Sequence, residues 1–378
     1  MLPQVEAARE LARKVATCAD EIDRRRQLPS ELAYELADRG FFRLLVPKSF
    51  GGVELDHPTF VEIVRIFAEV DASTAWCINQ NNVFATDAAR MQRGAARQIW
   101  GDPRAVVTNG PPVPGSVAVK SEGGYRLSGQ WNFSSGSNIA TWLAARTPVK
   151  GPGDEGPGSV QPVFLVPREQ ATILDLWHVN GLRGTASFSF KLEDVFVPDS
   201  MAYLESTPPH EPGPLYVIPK IPLFATGFAT IAVALARTSL DDAIALAAKK
   251  TPRDTGALLK DQATAHQAIG EAEATLRSAD SYLRQAASEL WRGACTNGRV
   301  SMEERVQVRM ASTHAIRQST KVVRAAYDLF GSDAIFTGNP IQRRFQDVNV
   351  ITQHLQGRLA NFETAGRYFL GLDPGRVL

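Results

Sequence analysis

The chain has 378 residues, with 41 Lys and Arg against 40 Asp and Glu, so its formal net charge is only +1 at pH 7. That length supports a large core, and neither sign is gathered in one block, which excludes a nucleic-acid tail or a basic membrane patch and leaves a small-molecule partner as the expectation. Cys18, Cys77 and Cys295 are odd in number and far apart, fitting neither a disulfide framework nor a metal motif and pointing to a reducing cytoplasm.

The amino terminus carries Glu6, Arg9 and Glu10 where a signal peptide would be apolar. The longest apolar run, Leu223 to Ala236, is shorter than a membrane span.

In chain order, Val5, Ala8, Leu11, Val15, Cys18 and Ile22 recur at the three-or-four spacing of one helical stripe. A second helix is expected between Pro29 and Gly40, and others from Pro58 to about Glu69 and from Ser73 to about Met91. Beyond Pro103 the period changes to two. Val117 and Val119 alternate with polar residues, Gly123-Gly124 turns the chain, and Tyr125 and Leu127 resume the alternation, as in a hairpin. Further strands are expected in Trp142–Val149, Val163–Val166, Thr172–Val179 and Phe188–Val197, with a Gly/Pro-rich loop from Lys150 to Gln161.

After the Pro-rich link from Pro208 to Pro222, the stripe Ile269, Ala272, Leu276, Ala279, Leu283, Ala286 and Leu290 marks a long helix that needs helical neighbours. Segments near Met302–Phe330 and Ala360–Leu370 supply them. The expected fold is therefore α+β, with a helical domain over 1–102, a β barrel or sandwich over 103–205 and a four-helix bundle over 206–378.

Four strings in this order carry a likeness. They are Pro47-Lys48-Ser49-Phe50-Gly51-Gly52-Val53, Val70-Asp71-Ala72-Ser73-Thr74-Ala75-Trp76, Gly129-Gln130-Trp131-Asn132-Phe133-Ser134-Ser135-Gly136, and Gly181-Leu182-Arg183-Gly184-Thr185-Ala186-Ser187 leading into Val195-Phe196-Val197-Pro198. Asp71 can cap the helix that follows it. Together the strings resemble the acyl-CoA dehydrogenase superfamily over essentially the whole chain.

The resemblance implies a flavin site. Ser135 matches the hydroxyl that bonds the flavin near N5, Phe133 the aromatic ring beside the isoalloxazine, and Trp131 and Ser134 belong to the same flavin-facing segment. Thr108 and Asn109 match the position that meets the pyrimidine edge. Arg253 matches an arginine that reaches flavin phosphate from a neighbouring subunit, which implies a homotetramer. Asn82, beside Asn81 on a helix whose counterpart faces the substrate, and Phe133 would touch substrate. Competing readings are a turn hydroxyl for Ser135, a solvated helix amide for Asn82 and a plain surface arginine for Arg253.

A flavin dehydrogenase acting on an acyl thioester needs a carboxylate base, which the superfamily places in one of two seats. One would lie about eight residues beyond Asp347, where this chain reads Thr352-Gln353-His354-Leu355-Gln356; the other falls between Pro212 and Leu240, which holds neither Asp nor Glu. Glu363, nine residues past His354, would lie about 13 Å away on a straight helix. His354 itself resembles the histidine of the two-component, oxygen-activating branch, whose members often carry Arg before the Asp and His two residues after it; this chain has Gln346 and Asn349.

An imidazole suits proton transfer to or from a phenol, an indole or a peroxide oxygen. The implied activity is a flavin-dependent monooxygenase using reduced FMN or FAD and O2, through a C4a-hydroperoxyflavin, to hydroxylate an aromatic or heteroaromatic molecule, with His354 and Ser135 catalytic. No Gly-x-Gly-x-x-Gly follows a strand in a βαβ unit, so a separate NAD(P)H-dependent flavin reductase is expected. Alternatives are an acyl-CoA dehydrogenase or flavin oxidase with a displaced base, and a non-catalytic flavin-binding homologue.

Overall fold

The computed structural model describes residues 3–150, 161–253 and 255–375. Five helices come first: α1 (Pro3–Arg25), α2 (Ser30–Asp38), α3 (His57–Ala68), α4 (Ala72–Ala85) and α5 (Arg93–Trp100). The stripe on α1 is buried at Val5, Ala8, Leu11, Val15 and Ile22. Asp71 caps α4, its carboxylate accepting from the Thr74 backbone N–H at 2.6 Å. The helical tract expected up to Met91 passes into a 3-10 turn over Thr86–Ala89, and α5 has no counterpart in the sequence expectations.

The strands are β1 (Val107–Gly110), β2 (Val117–Ser121), β3 (Gly124–Ser134), β4 (Trp142–Arg146), β5 (Val149–Lys150), β6 (Val163–Pro167), β7 (Thr172–Leu174), β8 (Phe188–Pro198) and β9 (Ala202–Tyr203). They form two sheets, ordered β1-β4-β6-β9 and β5-β2-β3-β8-β7. The expected hairpin is β2–β3, with Val117 opposite Ser128. The strand expected over Thr172–Val179 stops at Leu174. Most of the expected loop from Lys150 to Gln161 lies outside the described residues.

The remaining helices are α6 (Lys220–Ala247), α7 (Ala263–Asn297), α8 (Met302–Phe330), α9 (Pro340–Gln353) and α10 (Ala360–Phe369). Helix α6 extends well past the apolar run that marked it and, by length and composition, could cross a membrane; here most of it is buried inside the protein. It packs on α3, α4, α7, α8 and α9 and is the axis of the helical core. Close approach of α4 requires Gly227, since a Cβ there would sit 2.0 Å from Asn79 Oδ1.

Trp131 and Phe133 are two apart on β3, so simple alternation would put both on one face. A break in the β3–β8 register between Trp131 and Ser134 separates them. Trp131 points into the β core, fully buried, stacked on Phe190 with ring centres 5.1 Å apart and donating its indole N–H to the Arg146 carbonyl at 2.9 Å. Phe133 takes the left-handed region at φ 58° and is 61% exposed. A bulge thus turns one ring outward while leaving the other inside.

Trp131 is therefore a core residue with no exposed surface to turn toward a cofactor, contrary to its expected place in a flavin-facing segment. Replacing Trp131 by Ala should cost about 3–5 kcal/mol through loss of a buried aromatic, whereas Phe133→Gly, which relieves the left-handed strain, should cost nothing or stabilise. Urea unfolding of the two variants measures the difference, and equal losses would refute this division.

Candidate active site

The β3–β8 bulge delivers Ser135 into a buried hydroxyl cluster. Ser135 Oγ accepts the Trp76 indole N–H at 3.0 Å and lies 2.8 Å from Ser187 Oγ, which lies 2.7 Å from Thr185 Oγ1. Thr185 donates to the Leu182 carbonyl at 2.8 Å. A carbonyl only accepts and each hydroxyl has one hydrogen, so the chain has a direction: Ser135 donates to Ser187 and Ser187 to Thr185. Ser135 hence presents lone pairs, and not its hydrogen, to its remaining surroundings.

Thr108, fully buried, donates to the Ser135 carbonyl at 2.5 Å and holds that backbone from behind. Asn109 is half-buried and its side-chain oxygen accepts from Gln80 at 2.6 Å, which leaves its NH2 group for another acceptor. Ser134 is buried beside them with no partner for its hydroxyl among the described residues.

Trp76 joins this cluster to His354. Its ring stacks on Phe228 at 3.8 Å and meets the His354 ring edge-on at 5.2 Å, while Phe228 meets His354 at 4.7 Å. His354 caps the C-terminus of α9 in extended conformation, ψ 154°, so it leaves the helix expected to run through it. Its Nδ1 accepts the Gln356 N–H at 3.4 Å, which favours the tautomer with hydrogen on Nε2. Burial, with the Arg309 and Arg358 charges acting in the same direction, lowers its pKa to about 4, so the ring is neutral at neutral pH. Because the helix breaks at His354, the straight-helix path to Glu363 does not apply; Glu363 is exposed on α10.

Asp347, one and a half turns before the end of α9, accepts the Leu182 N–H at 2.6 Å. Gly181 allows that contact, since a Cβ there would come within 2.5 Å of the Gln346 carbonyl. The same loop thus carries Thr185 and Ser187 to Ser135 and is tied to the helix that ends at His354.

The family "Acyl-CoA dehydrogenase, N-terminal domain" matches residues 4–98 and "Acyl-CoA dehydrogenase, C-terminal domain" matches residues 226–358, together more than half of the chain. The chain belongs to the acyl-CoA dehydrogenase superfamily. It is similar to an indole-3-acetate monooxygenase of Pseudomonas putida, 27% identical over 354 residues that cover 94% of this chain and 90% of the relative. It is also similar to an FADH(2)-dependent resorcinol hydroxylase, oxygenase component, of Rhizobium sp., 27% identical over 376 residues and covering 94% and 91%. The crystal structure of the HsaA monooxygenase from M. tuberculosis aligns with a TM-score of 0.89 at 26% identity over 98% of both chains.

The residues of this superfamily member suit the flat, hydrogen-bonding ring that such relatives use. Phe133 and Leu176 are exposed apolar groups beside Ser135 and Trp177, and the Phe133 and Trp177 rings meet edge-on at 6.0 Å. Asn81 Oδ1 is buried near Gly136 without a partner among the described residues. Asn82 does not take part. It is fully buried, donating to the Phe41 and Ile78 carbonyls and accepting from the Leu45 N–H, so its amide is spent on the loop before α3 and on its own helix. Arg253 is exposed in the turn after α6, outside the Ser135–His354 cluster.

Trp76, Thr185 and Ser187 lie in the strings that carry the family likeness but had no role assigned from sequence, and Phe228 was not named there at all. Phe224 and Phe228, four residues apart on one helix face, were the one periodic signal available.

Burial pushes the Asp347 carboxyl up to about 7, with Asp71 adding to the rise and the Leu182 N–H and Arg343 opposing it. The folded form then holds a proton that the unfolded form has released between about pH 4 and 7, so this group's contribution to stability falls as pH rises through that window. Asp347→Asn keeps an acceptor and cannot ionise. Relative to the variant, the wild type should lose up to a few kcal/mol of unfolding free energy from pH 4 to 7. A difference independent of pH, in urea titrations across that range, would exclude ionisation of Asp347.

Proposed function

We propose that the chain is the oxygenase component of a two-component flavin-dependent monooxygenase that hydroxylates an aromatic or heteroaromatic small molecule. One observation carries this reading: neither seat for a dehydrogenase base holds a carboxylate, and the neutral His354 stands at one of them against the Trp76 and Phe228 rings. The relatives that share nearly the full length of the chain are named for oxygenation of indole and resorcinol rings, and one for its need of FADH2.

Ser135, Phe133 and Asn109 would hold the flavin, with Thr108 and Ser134 shaping the strand behind them. The chemistry that reduced flavin supplies when bound is the two-electron activation of dioxygen. Trp76 and Phe228 offer an aromatic substrate two faces and keep water from the space beside His354. His354, uncharged, donates its Nε2 hydrogen to a substrate oxygen or nitrogen; in the other tautomer, which gives up only the long bond from the Gln356 N–H, Nε2 offers a lone pair to the proton that leaves the ring on oxygenation. Ser135 offers oxygen lone pairs held in place by the Ser187–Thr185 chain, a fixed acceptor that needs no reorganisation during the reaction.

No Gly-x-Gly-x-x-Gly stands in a βαβ unit, so an NAD(P)H-dependent reductase supplies the reduced flavin. The described cysteines are unpaired, in keeping with a cytoplasmic setting, and the exposed Arg253 is available to a second subunit of a homotetramer.

The protein mixed with reduced FMN or FAD, oxygen and a panel of phenols, indoles and amines should yield a product heavier by one oxygen atom. His354→Ala should lower product formation about 10²–10⁴-fold, the usual range for loss of a proton-transfer group, while oxygen consumption continues. Bleaching of tightly held FAD by an acyl-CoA, with no oxygenated product, would overturn the reading.

A further inference from the structure

His354 ends α9 in extended conformation, and its ring makes a single hydrogen bond among the described residues, the long one from the Gln356 N–H. Where that ring stands against Trp76 and Phe228 therefore depends on the backbone that follows it.

That backbone is the 3-10 turn Leu355–Gly357, and two neighbouring helices grip it. From α8, Thr313 donates to the Gln356 carbonyl and Arg317 Nε to the Gly357 carbonyl, each at 2.8 Å. From α10, Asn361 donates to the Leu355 carbonyl at 3.1 Å. One further tie reaches the turn through a side chain: Arg309 Nη1, on α8, donates to Gln356 Oε1.

Arg309 is only 2% exposed, and its Nε and Nη2 meet no acceptor among the described residues. It faces Ile221, Pro222 and Ala225 of the acid-free stretch at the start of α6, packed so closely that not even a water fits between. An enclosed cation with one neutral acceptor is costly, and an apolar side chain of like volume would fill the same space without that cost. What an apolar side chain cannot supply is a fixed donor to Gln356 and a positive charge.

Few other charges face His354. Helix α4 carries none, and α6 none from Leu223 to Ala236. On α9, Asp347 lies about two turns back and accepts the Leu182 N–H. Arg317 is spent on the Gly357 and Thr352 carbonyls, and Glu363 is exposed on α10. Arg358 follows the turn and is exposed, so solvent screens it, whereas Arg309 is enclosed. Burial first, then Arg309 and Arg358, press the His354 pKa down.

Resting on the monooxygenase reading, we propose that Arg309 is a positioning residue for proton transfer at His354. Through Gln356 it sets where the imidazole stands against Trp76 and Phe228, and it contributes no group to the reacting atoms. Its enclosed charge opposes a second positive charge on that ring.

The test labels the histidines of the full chain with ¹⁵N and follows the His354 ring nitrogens by NMR from about pH 5 to 8, with His354→Asn identifying the signals. In the wild type the ring should stay neutral throughout. In Arg309→Met it should begin to take up a proton inside that window, its titration moved up by about one unit. Arg309→Lys, which keeps the charge, should return it toward the wild type. With reduced flavin, oxygen and an oxygenated phenol or indole, Arg309→Met should lower product per oxygen consumed by about 10- to 100-fold, the scale of a misplaced reacting group. Arg309→Lys should recover part of that yield. Gln356→Met cuts the tie and leaves the charge, so it should lower the yield without moving the titration up.

An arginine that only supports the fold would lower oxygen consumption and product together and leave the His354 titration where it was, which overturns the proposal. An unchanged yield in Gln356→Met overturns it too, and that variant decides alone should Arg309→Met not fold. A raised titration in Arg309→Met, with no oxygenated product even from the wild type, would uphold the link from Arg309 to His354 and remove the monooxygenase reading instead.

Discussion

Burial of α6 is the constraint on which the rest depends. Helices α3, α4, α7, α8 and α9 all pack on it, and from Leu223 to Ala236 only Phe224 is not fully enclosed. An ionised carboxylate in that setting would need a partner to offset several kcal/mol of desolvation, and the helix carries none until Asp241. The apolar axis therefore fixes the electrostatics around it. It leaves Arg309 without an acid on α6, and Arg309 in turn helps to keep His354 uncharged. The acid-free composition of one helix removes one of the two seats of a dehydrogenase's base, and Arg309 beside it adds to the burial that keeps His354, at the other seat, uncharged.

Much of the fold was legible because it is written in periodicity. The stripes on α1 and α7, the hairpin β2–β3 and the cap at Asp71 all follow from spacing and local hydrogen bonding. What escaped was set by interactions between distant segments. The bulge that separates Trp131 from Phe133 arises where β3 pairs with β8, nearly sixty residues later. The burial of Asn82 depends on the Phe41 carbonyl and the Leu45 N–H of the loop before α3, and the extended backbone at His354 on its place against Trp76 and Phe228.

The site is legible to the same degree. Phe133 and Ser135 stand at and just past the end of β3, and Asn109 on β1 of the other sheet, so packing of β1 against β3 brings them near each other. Trp76, the residue touching both Ser135 and His354, comes from α4, and Ser187 and Thr185 come from the loop before β8. Arg309 gave no signal beyond a charged residue among the apolar positions Val306, Val308 and Ala311. Its meaning depends on which wall of α6 it meets.

The break in register at Phe133 also governs what β3 can become. Strand pairing with a period of two tolerates slippage, and a slip by one residue sends every side chain to the opposite face. Healing the break would drag the Phe133 ring into the space that Trp131 and Phe190 already fill and would swing Ser135 out of its hydroxyl chain. The irregularity therefore works as a ratchet tooth: the strand cannot be shortened or lengthened by a residue on the Ser135 side without jamming. Insertions and deletions are confined to the far end of the ribbon, and the geometry around Ser135 is locked by an apparent flaw in the sheet.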